Sequence, residues 1–359
     1  MSDQLPDIFQ LACPAPLELH DTVQMAHGGG GRLMRGLIEG LFLPAFGAGQ
    51  DRAGLPAAPP HDSAVVEIGD TRLAFTTDTF VVSPLFFPGG DIGKLAVYGT
   101  GNDLAMAGAK PAWLSAGFIL EEGLPMETLR RVVASMREAA EALGVRIVTG
   151  DTKVVDRGKG DGIFVNTAGI GVVAPGVAIS PARVVPDDAI LLSGDLGRHG
   201  IAIMSVREGL GFEGALESDC APLWGLVEAL LADGLDLHCL RDLTRGGLAA
   251  ALNEIALDAR VGIELDEAAI PVAPPVASAC ELLGLDPLYV ANEGRLIAVL
   301  PADKAGRALG VLRSQPAARE AAIIGKVTPA HPGTVAMRSP LGGSRIVDLL
   351  SGEQMPRIC

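Results

Sequence analysis

The chain of 359 residues is poor in aromatic side chains, with ten Phe, two Trp and two Tyr, while it carries 46 glycines. Small residues in that number imply close approach of backbones rather than large stacked rings. Positive charge is also short. Lys and Arg total 28 against 43 Asp and Glu, a formal charge of −15. Such a chain repels phosphates overall, which excludes nucleic acid and anionic membrane as general partners. A local phosphate site survives that argument, since backbone N–H groups and a bound cation can build one. Cysteine is sparse: five residues, at 13, 220, 239, 280 and 359, an odd number with no Cys-x-x-Cys spacing. That excludes a disulfide framework and a zinc site, and indicates a reducing compartment. The opening "MSDQLPDIFQ" has no basic segment followed by an apolar core, so no signal peptide is read. Long apolar runs are missing too. The least charged stretch, 165–182, contains Asn166, Thr167, Ser180 and two prolines, and reads as a strand plus a loop. The expected location is the cytoplasm.

What is present is 48% hydrophobic and 20% charged residues, enough for a globular chain of two domains. Residues 1 to about 26 show no steady period and read as an arm. "HGGGGRLMRGLIEGLF" then feeds four glycines into a helical pattern. From residue 64 the pattern is mixed α and β. Asp91 is placed as the N-cap of a helix, and "PMETLRRVVASMREAAEALG" as a helix opened by Pro125 and closed by Gly144. Leu129, Val132, Val133, Met136 and Leu143 are expected on its buried face. The pattern breaks around "APGVAISPARVVPDD", which sets the domain boundary, and "LYVANEGRLIAVLP" reads as a strand of the second half. The division expected is an arm over 1–45, domains over 46–178 and 179–335, and a tail over 336–359.

Several constellations could carry chemistry. Gly28, Gly29, Gly30 and Gly31 precede a helix, so they could cradle a phosphate or serve as a hinge. No Gly-Lys-Ser/Thr follows, which rules out a Walker A loop. Asp78, Asp103 and Asp151 lie at element ends, where Asp is a cap or turn residue or a hard ligand for Mg²⁺. Asp103 and Asn102 stand out inside an apolar helix, where a carboxylate needs a partner. Lys153 shares a strand face with Asp151, either holding a phosphate or forming an ordinary ion pair. Glu293 is either a base or the partner of Arg295. "RDLTRGG", with Asp242 and Thr244, is either an anion or purine site or an N-cap with a tight turn. Cys13, Cys220, Cys239 and Cys280 read as structural, whereas Cys359 ends a polar tail. Cys is last rather than fourth from the end, so prenylation is excluded.

"HGGGG", "TTDTFVVSPLFFPGGDIGKLAVYGTGNDLAMAGAKP", "TGDTKVV", "RDLTRGGLAAALNEIA", "VANEG" and the terminal "PRIC" together resemble the HypE carbamoyl dehydratases. These hydrogenase maturation factors belong to the aminoimidazole ribonucleotide synthetase superfamily. The resemblance spans about residue 20 to 359, and the terminal Pro-Arg-Ile-Cys is its most specific motif. It implies an α/β (α+β) fold of two domains, with the N-terminal sheets of two subunits closing a β-barrel in a homodimer and a flexible C-terminal tail. It implies ATP under the glycine loop, near Asn102, Asp103, Asp78, Asp151, Asp242 and Thr244, with Mg²⁺ on Asp78, Asp103 and Asp151. Cys359 would be the carrier. A HypF-type carbamoyltransferase would load its thiol, ATP would drive dehydration of the thiocarbamate to a thiocyanate, and the cyanide would pass to iron on the HypC–HypD scaffold. Glu293 is then the base and Lys153 the orienter of phosphate or carbamoyl, with His27 a lesser candidate. An amide oxygen is a poor leaving group until phosphorylated, which gives ATP and Mg²⁺ their place. Within the superfamily the alternative is a small-molecule kinase like thiamine-monophosphate kinase or selenophosphate synthetase. The latter carries its reactive residue just before the glycine loop, where this chain has His27. A scaffold that binds partners without hydrolysing ATP is the third reading.

Overall fold

The computed structural model describes residues 21–46, 59–210, 216–352 and 354–359. The expectations for the arm over 1–20, including Cys13, and for loop residues 47–58 lie outside these. After a short 3₁₀ turn at Met25–Gly28, α1 (Arg32–Leu37) runs through a π-turn into α2 (Leu43–Phe46). The first sheet follows, with strands β1 (Ala64–Ile68), β2 (Thr71–Phe80), β5 (Ala109–Glu121), β6 (Arg146–Val155) and β7 (Ile163–Val173). A two-stranded ribbon, β3 (Phe86–Phe87) with β4 (Gly90–Asp91), leads into α3 (Ile92–Met106), and α4 (Met126–Leu143) precedes β6. The order across this sheet is β1-β2-β7-β5-β6, antiparallel except for the parallel β5–β6 pair.

Local chemistry explains these elements. The Asp91 carboxylate accepts from Gly93 N (2.7 Å) and Lys94 N (3.1 Å), capping α3, and Ser135 Oγ of α4 donates to it at 2.6 Å. Gly144 ends α4 in the left-handed region at φ 77°. The face α4 buries is Val132, Ser135, Met136, Ala139, Ala140 and Leu143. Val133 was expected there and is exposed. Helix α3 is buried almost throughout and covers the sheet's inner face. The outer face alternates out of phase and remains apolar: Phe75, Trp113, Ile119, Ile170 and Val172 are exposed. Among the described residues nothing closes this sheet, whose edges are β1 and β6.

The second half contains β8 (Asp188–Leu192), β9 (Cys239–Asp242), β10 (Gly262–Asp266), β11 (Leu296–Pro301), β12 (Ala322–Thr328), β13 (Val335–Arg338) and β14 (Ser344–Val347). Its helices are α5 (Arg198–Glu208), α6 (Trp224–Ala232), α7 (Gly247–Ala259), α8 (Pro274–Leu283) and α9 (Ala302–Ser314). The seven strands lie in the order β14-β13-β10-β12-β8-β11-β9. Both faces are covered. Leu248, Leu252 and Ile255 of α7 pack on one, and Leu226, Leu230 and Leu312 of α6 and α9 on the other. Two-sided burial gives β8 and β11 continuous apolar runs instead of alternation. Residues 290–295 were read as part of the β11 strand but form the loop leading into it. The tail was drawn from residue 336, yet β13 and β14 hold 335–338 and 344–347 in the sheet.

Candidate active site

A cavity of about 410 Å³ opens where the two sheets meet. Gly30, Gly31, Asp62, Asp78, Asp103, Asp242, Thr244 and Arg245 are among its lining residues. Asp78 lies near the end of β2, Asp103 in the last turn of α3 and Asp242 at the end of β9. Thr244 and Arg245 form the turn into α7. The glycine run packs closely against the turn into α7 and the C-terminal segment. Gly30 has φ +74°, and a Cβ there would stand 2.5 Å from Arg245 O. One on Gly31 would meet Leu350 O at 2.4 Å. Both positions therefore need glycine for close approach, and Gly30 also for its left-handed backbone.

The electrostatics are dominated by carboxylates crowded away from water. Thr76 Oγ1 donates to Asp103 at 2.8 Å. Burial, then Asp242, Asp78 and Asp62, push the Asp103 carboxyl well above the usual range. Burial and then Asp62 do the same to Asp242, whose Oδ2 is buried without a protein partner. Asp62, whose Oδ2 is likewise unpartnered, pairs with Arg241 at 2.8 Å, and Arg241 also bridges to Glu254. Arg245 reaches Asp78 at 3.9 Å. Asp62, Arg241 and Arg245 escaped the sequence reading. Asp62 stands in a Gly- and Pro-rich stretch that carries the signature of a loop, and the two arginines belong to a motif read only for its Asp, Thr and glycines.

These donors suit a hard divalent cation, being oxygens under mutual repulsion with orphaned lone pairs. Among the described residues no three carboxylate, His or Cys groups converge on one point. Mg²⁺ commonly takes one or two carboxylates and completes its shell with phosphate oxygens and water. A stability consequence follows. A carboxyl raised in the fold contributes fully only below its unfolded-state pKa, and that contribution is lost as pH climbs through the folded value. Melting of the metal-free protein is thus expected to fall as pH rises above the ordinary carboxylate range, about pH 4. Asp103→Asn should flatten that slope and stabilise the metal-free form by about 1–3 kcal/mol. Calorimetry with and without Mg²⁺ checks this, and an unchanged slope in the variant counts against it.

Glu293 is buried on the loop before β11, and its Oε1 has no hydrogen-bond partner. Burial, then Asp242 and Asp78, raise its carboxyl well above the ordinary range. The reading of Glu293 as the partner of Arg295 is overturned. Arg295 bonds Asp195 Oδ1 at 2.6 Å and lies 4.0 Å from Asp219. Asn102, expected near the nucleotide, is committed to protein. Its Nδ2 donates to Ala221 O (3.1 Å) and Glu293 O (3.4 Å), and its Oδ1 accepts from Leu223 N at 2.8 Å. It ties α3 to the loop that carries Glu293.

The chain's last residues are seated against both halves. Val81 N donates to Cys359 O (2.9 Å) and Ser83 N to Arg357 O (3.2 Å). Arg207 donates to the carbonyls of Pro356 and Arg357, and Arg357 pairs with Asp161. Met355 and Ile358 are buried. This places Cys359 beside the cavity. The Arg245 guanidinium is raised above its ordinary value chiefly by charge at Cys359, then by Asp78, Glu293 and Asp103 despite burial. Arg245 thus links the tail to the carboxylates.

Asp151 and Lys153 are elsewhere. They project from β6, an outer edge strand exposed along nearly all its length, and pair with each other at 3.0 Å. They are not among the residues that line the cavity. His27 accepts from Gln24 N at 2.9 Å within the 3₁₀ turn, a capping role.

Two family models match the chain: "AIR synthase related protein, N-terminal domain" over residues 60–173, and the C-terminal domain of the same family over 185–338. The carbamoyl dehydratase HypE of Azotobacter vinelandii is 56% identical over 94% of this chain and 97% of its own length. That of Escherichia coli is 48% identical over 94% of this chain and 100% of its own. A solved HypE in complex with ATP superposes with a TM-score of 0.78 at 49% identity, covering 94% of this chain and 100% of that one. A HypE–HypF complex gives 0.80 at 47%, covering 88% and 99%. Thiamine monophosphate kinase of Aquifex aeolicus, at 18% identity and TM-score 0.62, shares the fold alone. With two domains of the AIR synthase-related fold and these relatives, the chain belongs to the HypE family of carbamoyl dehydratases that mature hydrogenases.

Proposed function

We propose that this chain carries a carbamoyl group on the Cys359 thiol and, using ATP, dehydrates it to a thiocyanate that supplies cyanide to a nickel–iron hydrogenase centre. The observation that supports this most is the seating of Cys359 beside the carboxylate-lined cavity, with Arg245 between them. ATP, lying under the Gly28–Gly31 loop with Thr244 and Asp242 near it, supplies the phosphoryl group that makes the amide oxygen a leaving group. Asp78 and Asp103, with Asp62 and Asp242 beside them, would hold Mg²⁺. Glu293 removes a proton from the carbamoyl nitrogen, its orphaned Oε1 being the free acceptor. The second N–H proton passes to the departing phosphate as the C–O bond breaks and the nitrile forms, the oxygen leaving on phosphate. The seat at Val81 and Ser83 turns an encounter between molecules into one within the chain.

The functional assembly is a homodimer whose two five-stranded sheets close a barrel. Its support is the apolar outer face and the exposed edges β1 and β6, where Val65, Ile68, Val148 and Val154 lie open. In that assembly Asp151 and Lys153 face the second subunit, which reconciles their distance from the cavity with roles as metal ligand and orienter. The N-terminal domain, 46–178, then binds ATP and dimerises, 179–335 forms the second domain, and the moving part of the 336–359 tail lies beyond β14. Its partners are a HypF-type carbamoyltransferase, by likeness to the HypE–HypF complex, and a HypC–HypD acceptor, all in the cytoplasm.

Intact mass of the C-terminal peptide tests the reading. Incubation with the carbamoyltransferase and carbamoyl phosphate should add about 43 Da to Cys359, falling to about 25 Da once MgATP is supplied. An unmodified Cys359 in the presence of active transferase defeats it and returns the kinase alternative.

A further inference from the structure

We propose that the segment Ser218–Asp219–Cys220 couples seating of the tail to the placement of Glu293, with Asp219 as the positioning residue; this rests on the roles given above to Cys359 and Glu293. The path begins at His199, which is 0% exposed. Its Nε2 lies 2.8 Å from Ile358 O. A carbonyl only accepts, so Nε2 carries the hydrogen and donates it to the tail. Burial, ahead of every other influence, holds the imidazole below its ordinary pKa, so the ring is neutral and Nδ1 is a bare acceptor. Ser218 Oγ, 2.8 Å away, donates to it and accepts in turn from Cys220 N at 3.1 Å. Ser218 N is anchored on Pro88 O at 2.9 Å.

The next residue holds the catalytic loop. Asp219 is buried, and both of its oxygens are used: Oδ1 accepts from Glu293 N and Oδ2 from Gly294 N, each at 3.2 Å. These two amides flank the Glu293 carbonyl, so one carboxylate fixes the backbone on either side of the base. The contact is close enough that a Cβ on Gly294 would stand 1.9 Å from Asp219 O. From Ile358 to Glu293 the route is therefore continuous, through one ring, one hydroxyl and one carboxylate. Departure of the tail strips a fully buried N–H of its acceptor, which is costly enough to shift the ring and Ser218 with it. Coupling of this kind is reciprocal, so loosening the Glu293 loop must loosen the tail.

The test uses full-length Asp219→Asn and Ser218→Ala. Asparagine keeps the shape of Asp219 but offers an amide nitrogen where one backbone N–H needs an acceptor. Alanine at 218 cuts the link to His199 with little change of volume, and keeps the question answerable if the first variant does not fold. One readout is single-turnover thiocyanate formation by the carbamoylated chain, with KM for ATP. The other is the rate at which an aromatic disulfide reagent labels Cys359 in the resting chain, scored on the C-terminal peptide. Both variants are expected to slow turnover about tenfold or more while KM for ATP stays within about twofold. Both should speed Cys359 labelling severalfold, Asp219→Asn included, although its oxygens bond Glu293 and Gly294 and not the tail. Slowed turnover in Asp219→Asn with wild-type labelling would overturn the coupling and leave Asp219 a local brace. Faster labelling in Ser218→Ala at wild-type turnover would overturn it from the other end. Failure of the underlying reading looks different: wild-type Cys359 would take up no carbamoyl group, or Glu293→Gln would turn over normally.

Discussion

Cys359→Ala is expected to abolish carbamoyl uptake, reducing thiocyanate formation to background, a loss of at least about a thousandfold. The reason is that no other described thiol can stand in. Cys239 and Cys280 are buried, and burial pushes the Cys280 thiol up to about 11 and that of Cys239 higher still. Cys220 is raised well above the usual range by burial and then by Glu293. Only the thiolate attacks, and these three hold almost none near neutral pH. Cys359 is half-buried and lies near Arg245. ATP binding should survive the substitution, because the cavity's lining does not include residue 359. Intact mass after incubation with the transferase, paired with nucleotide binding by calorimetry, separates loss of the carrier from collapse of the site. Residual uptake on another cysteine would sink the assignment.

Glu293→Gln is the second large effect. Glutamine keeps the shape and the backbone clamps from Asn102 and Asp219 but cannot accept a proton at the carbamoyl nitrogen. General-base catalysis contributes about 10²–10⁴ in rate, so single-turnover dehydration should slow by that factor with KM for ATP nearly unchanged. Burial and the neighbouring Asp242 and Asp78 lift the Glu293 carboxyl well above its ordinary value, toward the pH at which a base works best. Pre-carbamoylated protein isolates this step from loading. A rate within about threefold of wild type would remove Glu293 from the role, since proton transfer by a positioned base is worth far more than that.

Much of the fold could be read from local signals. The Asp91 cap, the Pro125 start and the Gly144 stop are each set by the chemistry of one or two residues, and all three are seen. Long-range demands were less legible. Val133 fits the helical stripe of α4, but the small Ser135 and Ala139 let α4 approach its neighbours and so take the buried face instead. Glu293 looked like part of a strand because its neighbours are apolar; they are apolar because the loop is buried. The site was legible where an Asp stood in an apolar stretch, as at 103. It was illegible at Asp62, 16 residues before Asp78 in a proline-rich turn, because only the β1–β2 hairpin brings the two together. Asn102 shows the opposite error, for a buried amide beside a nucleotide motif can serve the backbone alone.

Beside the buried side chains of Met355 and Ile358 and the Arg357–Asp161 pair, the tail is held through its peptide groups, with the carbonyls of Pro356, Arg357, Ile358 and Cys359 each accepting from the body of the protein. Peptide groups are the same at every position, so these carbonyl contacts read distance along the chain, while Met355, Arg357 and Ile358 are read by their side chains. It is a ruler, and Cys359 is its end mark. Inserting or deleting one residue between Met355 and Cys359 would keep peptide carbonyls along the seat yet displace the sulfur from its place beside Arg245. Beyond β14 and before Met355 the same edit would be absorbed as slack. The three residues before Cys359 therefore set the position of the thiol by their number as well as by their side chains.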